Sequence, residues 1–386
     1  MMHALLLCCS LWSTSEPRID ADRLASFFEV YLKENQLPGA AVVVVDGNGI
    51  IFQAGYGLAD VPARIPMTPD HVLNIGSVSK TITGTAVMQL VEQGKLRLDQ
   101  DINELLPFPV RNPAFPDLPI TVEQLLTHTS SIEDGAAYDQ AYLPGDPPES
   151  LLPWLQRYLT PAGTLFAQEN FHAHAPGSHY SYSNVGFGLL GALIERVSGE
   201  TVSAYTRRRI LDPLGMTDSG WLLRDLDRSR LARPHGLINA DGSPREELPP
   251  ALATNLPSEP GLFTIPFYGF PTYSDGLLRT SPVQLARFLL AFMNDGRGVV
   301  RPETCRRMLT ARALTEPEGR THQMGLAWKQ TIRPDGRVWW GHGGGDPGIR
   351  TIMYFQPDSR LGFIYFLNGE GPVQPIFREL HQQLFP

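Results

Sequence analysis

Residues 74–81 read Asn74-Ile75-Gly76-Ser77-Val78-Ser79-Lys80-Thr81. Here a loop rich in Pro and Asp gives way to a helical pattern. Val78, Ile82, Ala86, Leu90 and Val91 fill one face as far as Gln93, and Gly94 supplies a stop. Ser77 and Lys80 thus stand at i and i+3 on one helix face, where an amine reaches a hydroxyl. Ser77 also falls at the helix N-terminus, where N–H groups and the helix dipole favour developing negative charge. A serine hydroxyl is a poor nucleophile until a base takes its proton. A lysine of ordinary pKa is neutral in only about one molecule in 2,000 at pH 7. The pair therefore requires burial, or a second cationic or histidine group beside it. The bland alternative for any S-x-x-K pair is a solvated helix surface. A phosphate loop is excluded, because Ser79-Lys80-Thr81 lacks the glycine before the lysine.

The rest of the chain bounds the chemistry. It has 386 residues, 42% hydrophobic and 19% charged, with a formal net charge of -8, the proportions of a folded globular protein. Net acidity and the lack of a dense basic patch argue against a nucleic-acid partner. Lysine occurs only at Lys33, Lys80, Lys95 and Lys329; the other basic residues are arginines, which cannot accept a proton near neutral pH. Cys8 and Cys9 lie near the start and Cys305 stands alone in the body, so no disulfide framework is expected. Ala4 to Trp12 is apolar and is followed by Ser13-Thr14-Ser15. Residues 1–15 thus read either as a signal peptide, which would export the protein, or as an apolar tail; no Lys or Arg precedes the stretch. No other apolar run is long enough to span a bilayer.

Along the chain, Arg18 to Leu37 reads as helix, and Ala40 to Asp46 and Ile50 to Tyr56 as a hairpin turning at Gly47-Asn48-Gly49. Thr121 to Leu126, Val185 to Val197, Val202 to Leu211 and Pro282 to Asn294 read as helices. Ser131 to Gly177 is a long Pro- and Gly-rich loop. Arg337 to Gly341, Ile349 to Phe355 and Leu361 to Leu367 read as strands before a last helix, Phe377 to Leu384. The expected fold is α+β: an antiparallel sheet built from both chain ends with flanking helices, plus a mainly helical inserted subdomain. Residues 16–386 are expected to form one domain, with an α/β part at 16–75 and 295–386 and a helical part at 76–294.

Two further elements accompany Ser77 and Lys80. In Tyr182-Ser183-Asn184 a phenol can relay a proton and an amide can hold a carbonyl or the lysine. In His342-Gly343-Gly344-Gly345 the glycines let a strand edge approach a ligand and present N–H groups to an oxyanion. With S-x-x-K, Y-x-N and a K/H-x-G strand in this order, the chain resembles the serine β-lactamase and penicillin-binding-protein superfamily. The resemblance is strongest to the class C β-lactamases and their esterase, D-aminopeptidase and carboxypeptidase-like relatives. It extends over roughly residues 20–386, through Leu125-Leu126-Thr127-His128-Thr129-Ser130, Pro176-Gly177 and Pro213-Leu214-Gly215-Met216.

The resemblance implies a β-lactamase/transpeptidase-like fold and a set of roles. Ser77 attacks the carbonyl and is acylated, while Lys80 and Tyr182 share the base and relay work. Asn184 orients substrate and lysine, and His342 takes the place of the third-motif lysine. The backbone N–H groups of Ser77 and Gly345, beside Gly344, form the oxyanion hole. No cofactor or metal is implied. Two departures stand out: Ser131 replaces a glycine, and His342 favours an ester or peptide over a β-lactam, since lysine best pairs with a β-lactam carboxylate.

Competing readings fare worse. The H-G-G-G of an α/β-hydrolase should precede a G-x-S-x-G elbow, which the chain lacks. His172, His174 and His179 have no acidic-histidine pair to complete a zinc set. A non-catalytic scaffold on the same fold has no need of the serine, lysine and tyrosine together. Residues 132–176 and 255–275 are expected to line the pocket, with Trp154, Tyr158, Phe267, Tyr268 and Phe270 either as an apolar acyl or side-chain site or as packing of those loops onto the body.

Overall fold

Gly39–Asp46 reads GAAVVVVD and is buried along nearly its whole length. A β-branched run without alternation is a strand covered on both faces, and it sits well inside the sheet. The computed structural model describes residues 19–239, 241–253 and 258–385; the apolar leader read at 1–15 lies outside them. Gly39–Asp46 pairs antiparallel with Leu361–Leu367 on one side and Ile50–Asp60 on the other, so both chain ends meet in one sheet. Nine strands follow in the order Arg312–Thr315, Thr321–Met324, Lys329–Ile332, Val338–Asp346, Ile349–Gln356, Leu361–Leu367, Gly39–Asp46, Ile50–Asp60 and Ile65–Pro66.

Alternate residues face two cores. Val42, Val44, Phe363 and Tyr365 meet the helices Ala21–Glu34 and Gln374–Leu384. Val43, Val45 and Ile364 face the larger core, where Pro282–Met293 lies on the sheet and the inserted helices follow. The Ser79–Glu92 helix is the axis of that insertion. It was expected to bury one face, yet every residue from Ser79 to Leu90 is buried. Its hydroxyls pair with carbonyls instead of water: Thr81 with Val78 at 2.8 Å, Thr83 with Ser274 at 2.6 Å and Thr85 with Thr81 at 2.7 Å. Polar groups satisfied in this way cost little to bury.

Several local expectations need correction. The segment 131–177 contains a helix, Leu151–Leu159, whose Trp154 and Tyr158 stack on each other inside the core. They do not form a pocket wall; the Tyr158 hydroxyl instead donates to the Glu133 carbonyl at 2.9 Å and braces that loop. Helix Pro302–Met308 and the strands Arg312–Thr315, Thr321–Met324 and Lys329–Ile332 were not foreseen. They are short and carry polar residues on partly exposed faces, so no apolar period marks them. Val202–Leu211 is α-helical only to Thr206, then widens into a π-turn at Arg207–Leu211.

The sheet meets the insertion at glycines. A Cβ on Gly344 would lie 2.1 Å from the Ile75 carbonyl oxygen, and one on Gly76 (φ 50°) would lie 2.9 Å from the Gly345 nitrogen. Thr351 fastens the same contact by donating to the Ile75 carbonyl at 2.7 Å. Gly344→Ala should push the Val338–Asp346 strand off the Ser77 turn, costing about 1–3 kcal/mol as an overpacking change does. Urea unfolding that shows no loss of stability would contradict this contact.

Candidate active site

Asn74 builds the turn that carries Ser77. Its side-chain oxygen accepts from Gly76 N–H at 2.9 Å, and its amide donates to Asp346 at 3.0 Å and to the Tyr268 hydroxyl at 3.2 Å. Gly76–Val78 is a tight 3-10 turn ahead of the helix, so Ser77 precedes the first α-turn. The i to i+3 reach survives this shift, and Lys80 Nζ lies 3.2 Å from Ser77 Oγ. The same amine donates to Asn184 Oδ1 at 2.6 Å and to the Asp275 carbonyl at 2.8 Å. Both are obligate acceptors. As an ammonium the group donates at all three contacts; in its neutral form, with two hydrogens directed at those oxygens, it keeps a lone pair for the Ser77 hydroxyl. Lys80 is fully buried. Burial lowers its pKa, against the raising pull of Asp275, Asp134 and Asp346.

Tyr182 and Asn184 come from the start of the Asn184–Ser198 helix. The N-cap Ser183 accepts from Gly186 N–H at 2.9 Å, and Asp134 accepts from the N–H groups of Asn184 at 2.8 Å and Val185 at 2.9 Å. A carboxylate at a helix N-terminus meets unpaired donors and the positive end of the dipole. So fixed, the Tyr182 hydroxyl donates to Ser77 Oγ at 2.7 Å. Burial raises its pKa, which keeps the phenol protonated.

His342 lies on the Val338–Asp346 strand. Its Nδ1 lies 2.6 Å from the Gly343 carbonyl oxygen and must donate to it, while Nε2 has no partner. Burial, then Lys329 and Lys80, hold the ring neutral. Gly344 and Gly345 sit on the same strand against Ile75 and Gly76. All seven residues singled out from the sequence therefore lie around one turn.

A family model described as Beta-lactamase matches residues 24–384. The chain belongs to the beta-lactamase family. With that family it joins the serine hydrolase superfamily. It is 32% identical to esterase EstB of Burkholderia gladioli over 222 residues, 54% of this chain and 53% of the esterase, so the match spans about half of that relative's length. Among solved structures, D-amino acid amidase from Ochrobactrum anthropi SV3 superposes with a TM-score of 0.75 at 20% identity, covering 94% of this chain and 97% of that one. The octameric penicillin-binding protein homologue from Pyrococcus abyssi superposes with a TM-score of 0.73 at 24% identity, covering 95% and 77%. These two likenesses show the β-lactamase/transpeptidase-like α+β fold.

The beta-lactamase fold also gathers residues that sequence reasoning gave no role. His128 (φ 57°) stacks on the Tyr182 ring at 4.2 Å, accepts from Ser183 N–H at 3.1 Å, and is kept neutral by burial and by Lys80. Ser131, where the resemblance implied glycine, takes φ 63°, the left-handed backbone that glycine adopts most easily. Its hydroxyl accepts from Asn112 at 2.9 Å. Lys329 Nζ stands 4.8 Å from the Tyr182 ring centroid, and burial together with Lys80 lowers its pKa to about 8. Tyr138 donates to Asp275 at 3.2 Å and Tyr142 to Asp346 at 2.9 Å. Of the aromatics expected in the pocket, Tyr268 and Phe270 lie in this cluster with Tyr142. Phe267 instead packs with Val72, Leu223 and Leu231 and under Arg233. Outside the site, His172 stacks on His174 and pairs with Glu133. Among the described residues no helix is long and apolar enough to cross a membrane.

Burial raises the Asp275 carboxyl to about 8 and that of Asp346 to about 6. A carboxyl with a folded pKa above its unfolded value of about 3.9 binds its proton more tightly when folded. The stability it adds is complete below pH ~4 and lost as pH rises through about 8. Asp275→Asn should therefore flatten the fall in urea midpoint between pH 4 and pH 8. Equal slopes in the two proteins would show that Asp275 is not held protonated.

Proposed function

We propose that this protein hydrolyses carboxylic esters or amides through an acyl-enzyme on Ser77. The observation that carries the reading is the double engagement of one oxygen: Ser77 Oγ lies 3.2 Å from Lys80 Nζ and 2.7 Å from the Tyr182 hydroxyl. Neutral Lys80 takes the serine proton as Oγ attacks the carbonyl. Tyr182, protonated and pointing at the same oxygen, passes a proton to the leaving group, and the pair reverses these roles when water enters. Gly345 N–H, which faces the Gly76–Ser77 turn, joins Ser77 N–H in holding the oxyanion. Asn184 fixes the amine and orients the substrate.

The named relatives, an esterase and a D-amino acid amidase, support esters and amides as the substrate class. An open cleft leads away from Gly345 and Asp346 past Tyr142 and Asp139 towards Glu246 and Arg350, with room for an acyl or leaving group. No cofactor or metal enters these steps.

Ser77→Ala should abolish covalent labelling by a fluorophosphonate and cut p-nitrophenyl butyrate hydrolysis by at least about 10³-fold. Tyr182→Phe should cut kcat by about 10²- to 10⁴-fold at an unchanged circular dichroism spectrum. Labelling that persists in Ser77→Ala would remove Ser77 as nucleophile. A native protein that neither labels nor turns over ester would be a scaffold on this fold.

A further inference from the structure

Lys329 opens the Lys329–Ile332 strand and pairs with Gly341, one residue before His342. Its backbone is anchored just upstream, where Ala327 N–H donates to the Leu126 carbonyl at 3.1 Å. Ala327 is also pressed against the nucleophile helix: a Cβ on Gly84 would fall 2.3 Å from its own. Trp328 is locked between Phe292 and Phe355. The strand thus delivers the ammonium to a fixed place, 4.8 Å from the Tyr182 ring centroid, while Lys80 Nζ lies 5.0 Å from the same centroid.

The two lysines differ in what surrounds them. Lys80 is fully buried and its hydrogens are committed to named oxygens, and the neighbouring Asp275, Asp134 and Asp346 pull its pKa upward against burial. Lys329 keeps partial exposure, and among the described residues no carboxylate offsets its charge; burial and Lys80 both oppose it. A desolvated ammonium without a counter-ion is held at a cost that a bound anion removes. His342 cannot serve that anion, because its single N–H is spent on Gly343 and Nε2 offers a lone pair.

We propose that Lys329 is the anion anchor of the Ser77 cleft and takes a carboxylate carried by the substrate near the scissile carbonyl. The inference rests on the acyl-enzyme reading and narrows its substrate class to carboxylate-bearing esters, amides or lactams. It also revises what His342 suggested from sequence: the positive charge missing from that strand position is supplied from the neighbouring strand.

The test compares kcat/KM for mono-p-nitrophenyl glutarate, which is anionic, with kcat/KM for p-nitrophenyl acetate, which is neutral. Lys329→Met should lower the anionic-to-neutral ratio about tenfold, Lys329→Arg should retain it, and Lys329→Glu should lower it further. A ratio unchanged in Lys329→Met overturns the proposal; it is the result expected if Lys329 only tunes the proton affinity of Lys80. In the unaltered protein, glutarate should slow fluorophosphonate labelling and glutaramide should not. Equal protection overturns the proposal even if the variants fail to fold. Absence of all labelling and turnover in the unaltered protein is a different result, and it would remove the acyl-enzyme reading itself.

Discussion

The structure depends on burying one lysine amine among oxygens. Water solvates an ammonium far better than a protein interior does, so Lys80 can occupy the middle of the molecule only if its neighbours replace that water. Three elements do so: the Ser77 turn, the start of the Asn184–Ser198 helix and the Tyr273–Asp275 turn. Each is fixed by a contact remote from the amine. Asn74 shapes the first, Asp134 caps the second, and the Thr83 hydroxyl ties the third to the Ser79–Glu92 helix. The same burial that needs these partners lowers the pKa of Lys80, the direction that the proposed role as proton acceptor requires.

A second constraint concerns backbone. The two N–H groups proposed to hold the oxyanion come from opposite parts of the fold, one from the Ser77 turn and one from the Val338–Asp346 strand, and they must approach closely. Gly76 and Gly344 permit this, because side chains at either position would collide with the facing main chain. The electrostatics around this junction are mixed. Asp134, Asp275 and Asp346 gather about Lys80, while His128 and His342 stay neutral under burial and the nearby lysines. Among the described residues Lys329 alone of these charges lacks an opposite, and that asymmetry is the ground for the proposed anion site.

Much of this was legible in the amino-acid sequence. The Ser77-Val78-Ser79-Lys80 spacing placed hydroxyl and amine together because helical geometry is local. The valine run at 42–45 announced a strand, and the Gly-rich run at 343–345 announced a close approach of backbone. Order along the chain supplied the rest of the family pattern, through Tyr182, Asn184 and His342. What the sequence by itself determined, then, was the family, the set of candidate site residues that its motif order implies, and the α+β pairing of the two chain ends, since motif order and apolar pattern can be read along the chain.

Only the tertiary structure decided their surroundings. Trp154 and Tyr158 had the composition of a pocket wall and became core, because their helix faces inward. Asp134, Asp275 and Asp346 carry no motif; their raised pKa values arise from burial by distant elements. Lys329 was visible as one of four lysines, but its strand has no apolar period, so nothing local tied it to Tyr182. Proton affinity and ion pairing depend on which groups the fold brings within a few ångströms and how much water it leaves between them. Those distances span hundreds of residues of chain, and no local pattern encodes them.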